Sequence, residues 1–202
     1  FYDLEDPSMF INDINKALDD DGIFIAQLMC LKSMIEKNDL GNICHEHLEY
    51  YSYKSLIYLF ENNGFQILKV EENNINSGSY RIFCKKKISP SIKIREKTSL
   101  TDIKKFITRV INIKSKCYNF IKQEVKRGKS VMVYGASTKG NTILQFFNLN
   151  NKLIKYAAER SPQKWGKFTV GTGIEIISEE QARKINPDYF LVLPVAFIDE
   201  FI

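Results

Sequence analysis

The sequence predicts an α/β protein in two parts: a first in which helices and short apolar runs alternate, and a second built on a small parallel sheet. Three observations predict this. Apolar residues recur at helical spacing before Asp21-Gly22, from Tyr53 to Phe60 and again along Thr101–Arg127. Short apolar runs bounded by turn residues read as buried strands. The run Ser130–Tyr134 opens into Gly135-Ala136-Ser137-Thr138-Lys139-Gly140, a tight loop placed where a strand hands over to a helix.

In order, residues 8–18 suit a helix with Phe10, Ile11, Ile14 and Leu18 on one side. Ile23–Met29 is a strand. Tyr53–Phe60 is helical, with Asn63-Gly64 as its C-terminal cap. Phe65–Val70 is the next strand, and Tyr80–Cys84 another after a Ser77-Gly78-Ser79 turn. Residues 85–98 are basic, contain Pro90 and read as a linker. One long helix then runs from Thr101 to Arg127. Ser99 and Asp102 give it a capping-box-like start, and Gly128 stops it. Ile103, Phe106, Ile107, Val110, Ile113, Cys117, Phe120 and Ile121 form its apolar stripe. In the second part Ser130–Tyr134, Leu153–Ala157, Ile174–Ile177 and Tyr189–Leu193 read as strands, and Asn141–Phe147 and Glu179–Lys184 as helices. That order predicts a parallel sheet of Rossmann type.

The composition, 44% hydrophobic and 26% charged, suits a globular chain with a real core. No run of ~18 apolar residues is present, so no membrane-spanning helix and no membrane partner is expected. The opening Phe-Tyr-Asp-Leu-Glu-Asp lacks the basic region of a signal peptide and reads like a cut inside a longer protein. The four cysteines lie far apart without a C-x-x-C pair, which predicts reduced, mostly buried thiols and a cytoplasmic location. Charge is uneven. From Lys85 to Lys129, fifteen basic residues face three acidic ones, a balance of +12, leaving −7 for the rest of a +5 chain. This basic stretch lacks the aromatic interleaving of a nucleic-acid stacking platform. A solvated helix face or a nearby diphosphate accounts for it better than nucleic acid does.

Three groups of residues could carry chemistry. His45 and His47 flank Glu46; side chains two apart share a face only in extended chain. The spacing is not H-E-x-x-H, and two imidazoles alone lack the ligands of a zinc site, so no metal is assigned. They read either as histidines without a chemical role or as a general base with a neighbouring carboxylate to orient it. The Gly135–Gly140 loop is either a plain tight turn or a phosphate cradle, with Lys139 adding positive charge. Glu159, 24 residues beyond Gly135, stands where an acid accepts from a ribose hydroxyl, or pairs with Arg160. Ser77-Gly78-Ser79-Tyr80-Arg81 is either a simple hairpin turn or a donor group for an anion or carbonyl.

Together these blocks resemble one family. Asn42-Ile43-Cys44-His45-Glu46-His47-Leu48-Glu49-Tyr50-Tyr51-Ser52 is similar to the HEHL-x-Y-Y block of the S-adenosylmethionine-dependent sugar C-methyltransferases. The Ser77–Arg81 turn resembles their Gly-Gly-Ser-x-Arg loop, and Val133–Gly140 their Gly-Tyr-Gly-Ala-Ser-x-Lys-Gly loop. Arg160-Ser161-Pro162-Gln163-Lys164-Trp165-Gly166 and Pro187-Asp188-Tyr189 follow in the expected order. The resemblance covers essentially the whole chain. It implies that residues 1–87 are the C-terminal half of a class I methyltransferase Rossmann-like domain, 88–127 a basic linker and long helix, and 128–202 a C-terminal Rossmann-like nucleotide-sugar-binding domain.

The resemblance further implies C-methylation of a nucleotide-linked keto sugar beside its ketone. His47 would be the base, supported by Glu46 and Cys44. Ser79, Arg81, Gly135, Ser137, Lys139 and Glu159 would bind the nucleotide-diphosphate sugar. S-adenosylmethionine would be held mainly by an N-terminal half not in this sequence, and zinc by a further N-terminal domain. Three departures stand out: Cys44 where the family has Tyr, Ser77 where it has Gly, and Leu193-Pro194-Val195-Ala196-Phe197 where a Trp-His block is usual. They leave open a second reading, a nucleotide-sugar-binding module derived from the family that does no chemistry.

Overall fold

The computed structural model describes residues 1–94 and 98–193 and divides into two compact units. The first gathers Phe1–Asp39 and His45–Phe106; the second gathers Leu40–Cys44 and the chain from Ile107 onward.

The first unit contains α1 (Pro7–Ala17), β1 (Phe24–Met29), α2 (Leu31–Lys37), α3 (Tyr53–Asn62), β2 (Phe65–Asn73) and β3 (Ser79–Lys86). Asp6 caps α1 by accepting from the Met9 amide at 2.9 Å, and Pro7 fits the first helical position, which has no N–H to satisfy. The sheet order is β1-β3-β2, with β3 antiparallel to both neighbours. Tyr80, Ile82 and Cys84 of β3 alternate into the core, while Arg81 and Phe83 take the other face. Ile11, Leu28, Leu56, Phe60, Phe65 and Ile82 form a fully buried centre. Asn63 and Gly64, the latter at φ 78°, close α3 as its sequence predicts. The seven-residue α2 has too little periodicity to be read from sequence; Asn38, at φ 57°, ends it.

The second unit takes in most of α4 (Leu100–Lys126), then β4 (Val131–Tyr134), α5 (Thr138–Phe147), β5 (Tyr156–Glu159), β6 (Glu175–Ser178), α6 (Glu179–Ile185) and β7 (Tyr189–Val192). All four strands are parallel, in the order β6-β5-β4-β7. The chain steps from β4 outward to β6 and returns to the other side of β4. The order therefore reverses between β4 and β7, and open α/β sheets take ligands outside the carboxyl ends of the strands at such a reversal. The α/β class and the Rossmann-like parallel sheet predicted from the sequence are both present. Val133, Leu144, Leu149, Ile154, Ala157 and Ile174 form the core, and Ile121 of α4 packs into it.

Several features differ from the sequence expectation. α5 begins at Thr138 because the Ser137 hydroxyl accepts from the Gly140 amide at 3.0 Å. Lys139 and Gly140 therefore sit in its first turn and not in the loop. β5 starts at Tyr156, since the amides of Leu153 and Ile154 fold back onto the Asn150 carbonyl at 3.0 and 2.9 Å. The α4 stripe is narrower than predicted. Phe106, Val110 and Ile121 are buried, whereas Ile107, Ile113 and Phe120 are 43–49% exposed. A seam at spacings of three and four suffices for one line of contact. No described helix is long and apolar enough to cross a membrane.

Candidate functional site

In the first unit, the carboxyl end of β1 collects two of the sequence blocks. His45 and Glu46 form an exposed turn, and the chain then runs extended. The Tyr2 carbonyl accepts from the amides of Leu48 and Glu49 at 2.8 and 3.2 Å. The half-buried His47 ring lies 4.6 Å from the Tyr2 ring. Tyr51 then enters the core beside Cys30, which follows β1, and its carbonyl accepts from the Leu31 amide at 3.0 Å. Cys30 in turn donates its amide to the Gly78 carbonyl at 3.1 Å. Cys30 and Leu31 thus hold Tyr51, four residues past His47, and the Ser77–Arg81 turn to one strand end.

That turn is tightly specified. Gly78 has φ 134°, and a Cβ there would meet the Ser33 Cβ at 2.3 Å, so only glycine fits against α2. Asn76 and Ser77 are also left-handed, at φ 53° and 66°. Ser79 is buried and gives its hydroxyl hydrogen to the Ile75 carbonyl at 2.8 Å. Arg81 points its Nε and Nη2 at the Gln27 Oε1, at 3.2 and 2.9 Å, and Glu71 stands 3.8 Å from its Nη1. The Tyr51 hydroxyl is buried with no hydrogen-bond partner among the described residues, and burial pushes its phenol up to about 12. Cys44, also buried, falls in the second unit after a 3-10 turn over Leu40–Asn42.

In the second unit, the β4–α5 loop lies at the carboxyl end of the sheet. Gly135, at φ 88°, donates to the Ala158 carbonyl at 2.8 Å, which tucks the loop against β5. The Ala136 amide donates to the Glu159 Oε2 at 3.0 Å. The Gly140 amide is taken by Ser137, as described above. The amides of Thr138 and Lys139, at the start of α5, have no carbonyl of their own helix to reach. With the helix dipole behind them they favour an anion. Lys139 is half-buried, and no carboxylate pairs with it among the described residues. The Thr138 and Lys139 amides and the Lys139 ammonium thus make the start of α5 favourable to an anion.

Glu159 ends β5 and also accepts from the Ser161 amide at 3.1 Å and from Lys164 Nζ at 3.3 Å. Burial pushes its carboxyl up, but the Ser161 and Ala136 amides and the Lys164 ammonium outweigh that and hold it below the usual range. A carboxylate has about four acceptor positions. Three are used here, leaving one for a ligand hydroxyl. Arg160 pairs with Glu179 at 2.9 Å and not with Glu159, because the strand turns it to the opposite face. Glu179 also accepts from the Tyr134 hydroxyl and lies 3.8 Å from Arg183. Residues 194–197 of the Leu193–Phe197 block lie outside the described residues.

Sequence reasoning did not single out Cys30 or Lys164. Nothing near Cys30 in sequence marks it. Lys164 lay inside the Arg160–Gly166 block, but no local pattern reveals which way a lysine points. Among the described residues no cluster of three or more His, Cys, Asp or Glu could hold a metal ion.

Residues 76–202 match the family described as C-methyltransferase C-terminal domain. The chain is also similar to C-methyltransferase NovU of Streptomyces niveus, 28% identical over 214 residues, covering 100% of this chain and 51% of NovU. It therefore spans about half the length of that relative. The family match takes in well over half of the sequence, including β3, the whole of α4 and the parallel sheet with its β4–α5 loop. The chain belongs to the family described as C-methyltransferase C-terminal domain.

Proposed function

We propose that this chain is the base-bearing and substrate-binding part of an S-adenosylmethionine-dependent C-methyltransferase. Its substrate would be a nucleotide-linked keto sugar, methylated at the carbon next to the ketone. The observation that carries the reading is that Tyr51, four residues past His47, and the Ser77–Arg81 turn are both tied to the end of β1 in a chain of this family.

The ketone acidifies the proton on its neighbouring carbon. His47 removes that proton, since imidazole is the side chain suited to accepting one near neutral pH. Glu46, beside it in sequence, favours the cationic ring once formed. The negative charge moves to the ketone oxygen and needs donors there. Ser79 and Arg81 are assigned to it, exchanging the Ile75 carbonyl and Gln27 for the substrate oxygen. Cys44 stands at the position of a family tyrosine; a thiol is the weaker donor and gives a weaker hold on substrate. S-adenosylmethionine supplies an electrophilic methyl group when bound. The three strands of the first unit carry no glycine-rich strand-to-helix turn to cradle it, so in this reading its site belongs mainly to residues that precede this chain. Zinc, in this reading, belongs to a further domain and enters no step here.

In the second unit Gly135 lets the loop approach the diphosphate, Ser137 holds the helix start, and Lys139 with its own and the Thr138 amide binds phosphate oxygens. Glu159 offers its remaining acceptor position to a ribose hydroxyl.

The test is His47→Ala in the full-length protein, assayed for methyl transfer to a nucleotide-linked keto sugar. Transfer should be abolished while sugar-nucleotide binding survives; normal turnover would remove His47 from the mechanism. Cys44 in place of tyrosine favours a second reading, a nucleotide-sugar-binding module without turnover. Wild-type protein that binds the sugar nucleotide but transfers no methyl group would establish it.

A further inference from the structure

The Arg160–Gly166 segment has no part in the steps above, yet the fold builds it against the proposed phosphate loop. It leaves β5 through Glu159 and makes a 3-10 turn over Pro162–Lys164. Both of its ends are fixed. Trp165 Nε1 donates to the Glu159 carbonyl at 2.7 Å, and the Gly166 amide donates to the Ile176 carbonyl of β6 at 2.8 Å. Held this way, Lys164 turns back across the sheet end. Its Nζ donates to the Ala136 carbonyl at 2.9 Å and reaches the Glu159 Oε2 at 3.3 Å. The same Oε2 accepts from the Ala136 amide. Both the amide and the carbonyl of Ala136 are therefore clamped from outside the loop, one by each member of the pair.

We propose that Lys164 and Glu159 act as a positioning pair that makes the β4–α5 loop competent for a nucleoside diphosphate; the proposal rests on the reading of that loop as the phosphate site. Two physical requirements lie behind it. A loop that binds a diphosphate through amides must keep its carbonyl oxygens engaged elsewhere, because each repels phosphate oxygens. Lys164 engages that of Ala136. A carboxylate next to a diphosphate is also repulsive unless neutralised. Lys164 cancels the charge of Glu159 while leaving it to fix the Ala136 amide. Lys164 so acts through the loop, whereas Lys139 meets the ligand itself.

The test is calorimetric titration of the full-length protein with thymidine, uridine, guanosine and cytidine diphosphates, repeated on variants. Wild type should bind at least one of the four. Lys164→Met should lose about tenfold in affinity for it, consistent with the loss of a charged hydrogen-bonding group. Lys164→Arg should stay within about threefold of wild type, since the guanidinium restores both the charge and the donors. The double variant Lys164→Met with Glu159→Gln should recover part of the loss, because the uncompensated carboxylate is gone while the Ala136 carbonyl stays unengaged. A merely structural lysine would show no such recovery, and a coupling of this sign is what a double-mutant cycle isolates. Wild-type affinity in Lys164→Met, or no recovery in the double variant, overturns the positioning pair while the phosphate loop stands. Failure of wild type to bind any of the four overturns the phosphate reading and the pair with it.

Discussion

Single residues decide the candidate site, and several were legible in sequence for physical reasons. His47 could be singled out because the chain has only two histidines, set around a carboxylate. Lys139 stood out as a cation in a glycine-bounded loop. Lys139→Ala should weaken nucleoside-diphosphate binding about tenfold, since one charge-assisted contact is removed; unchanged affinity in a titration would remove it from the site. Gly78 was read only as turn chemistry. Its need for φ 134° agrees with that reading, but the Ser33 side chain that forbids a Cβ comes from α2, 45 positions away. Gly78→Ala should destabilise the protein by about 1–3 kcal/mol, measurable by urea denaturation. Lys164 was illegible because its meaning lies in the Ala136 carbonyl it reaches, not in its neighbours.

Elements were read well where local chemistry fixes them. Ser99 and Asp102 form the reciprocal cap predicted for α4, with Ser99 donating its amide to Asp102 at 3.0 Å and the Asp102 amide returning to Ser99 at 3.2 Å. α6 has a full capping box in which Ser178 accepts from the Gln181 amide at 3.1 Å and Gln181 accepts from the Ser178 amide at 3.2 Å. Ser178→Ala should cost about 1 kcal/mol, checked by thermal melting. The Pro187-Asp188-Tyr189 block ties the start of β7 to that of β4. Asp188 accepts from the Ser130 amide and hydroxyl and from Lys129, each at 2.8 Å. The Lys129 hydrogen bond first, then those from Ser130, hold its carboxyl well below the usual range. A depressed folded value means that its contribution is complete above the unfolded value, near pH 4, and fades as pH falls further toward the folded one. Asp188→Asn should therefore flatten the acid dependence of stability below about pH 4 and change little of its slope near neutrality. A variant with the wild-type acid slope would contradict this. Boundaries differ where a single residue captures nearby amides: the Ser137 hydroxyl draws α5 forward to Thr138, and the Asn150 carbonyl delays β5 to Tyr156.

At the scale of the molecule, one core gathers around Phe60 and Phe65 and another around Val133 and Leu144, with a smaller buried cluster of Met132, Ala158, Ile177 and Ala182. All four cysteines are free; Cys30, Cys44 and Cys84 are buried and Cys117 is half-buried. Burial pushes the Cys84 thiol up to about 12, so it resists alkylation while folded. In native protein Cys117 should react first with a thiol reagent, and all four should react after unfolding. Fewer than four titratable thiols in the unfolded chain would contradict free cysteines. The sequence by itself determined the α/β class, the order of the helices and strands apart from α2, the long basic helix and the blocks of the family. Those follow from periodicity, caps and turn residues, which act over a few positions. Only the tertiary structure decided that β3 lies between β1 and β2, that Cys30 sits between Tyr51 and the Gly78 turn, and that Glu159 and Lys164 clamp Ala136. The β1–β3 pairing, the Cys30 contacts and the reach of Glu159 and Lys164 to Ala136 each join residues more than twenty positions apart. Such pairings are selected by what packs and what hydrogen-bonds once the sheet has formed, and no local pattern encodes them.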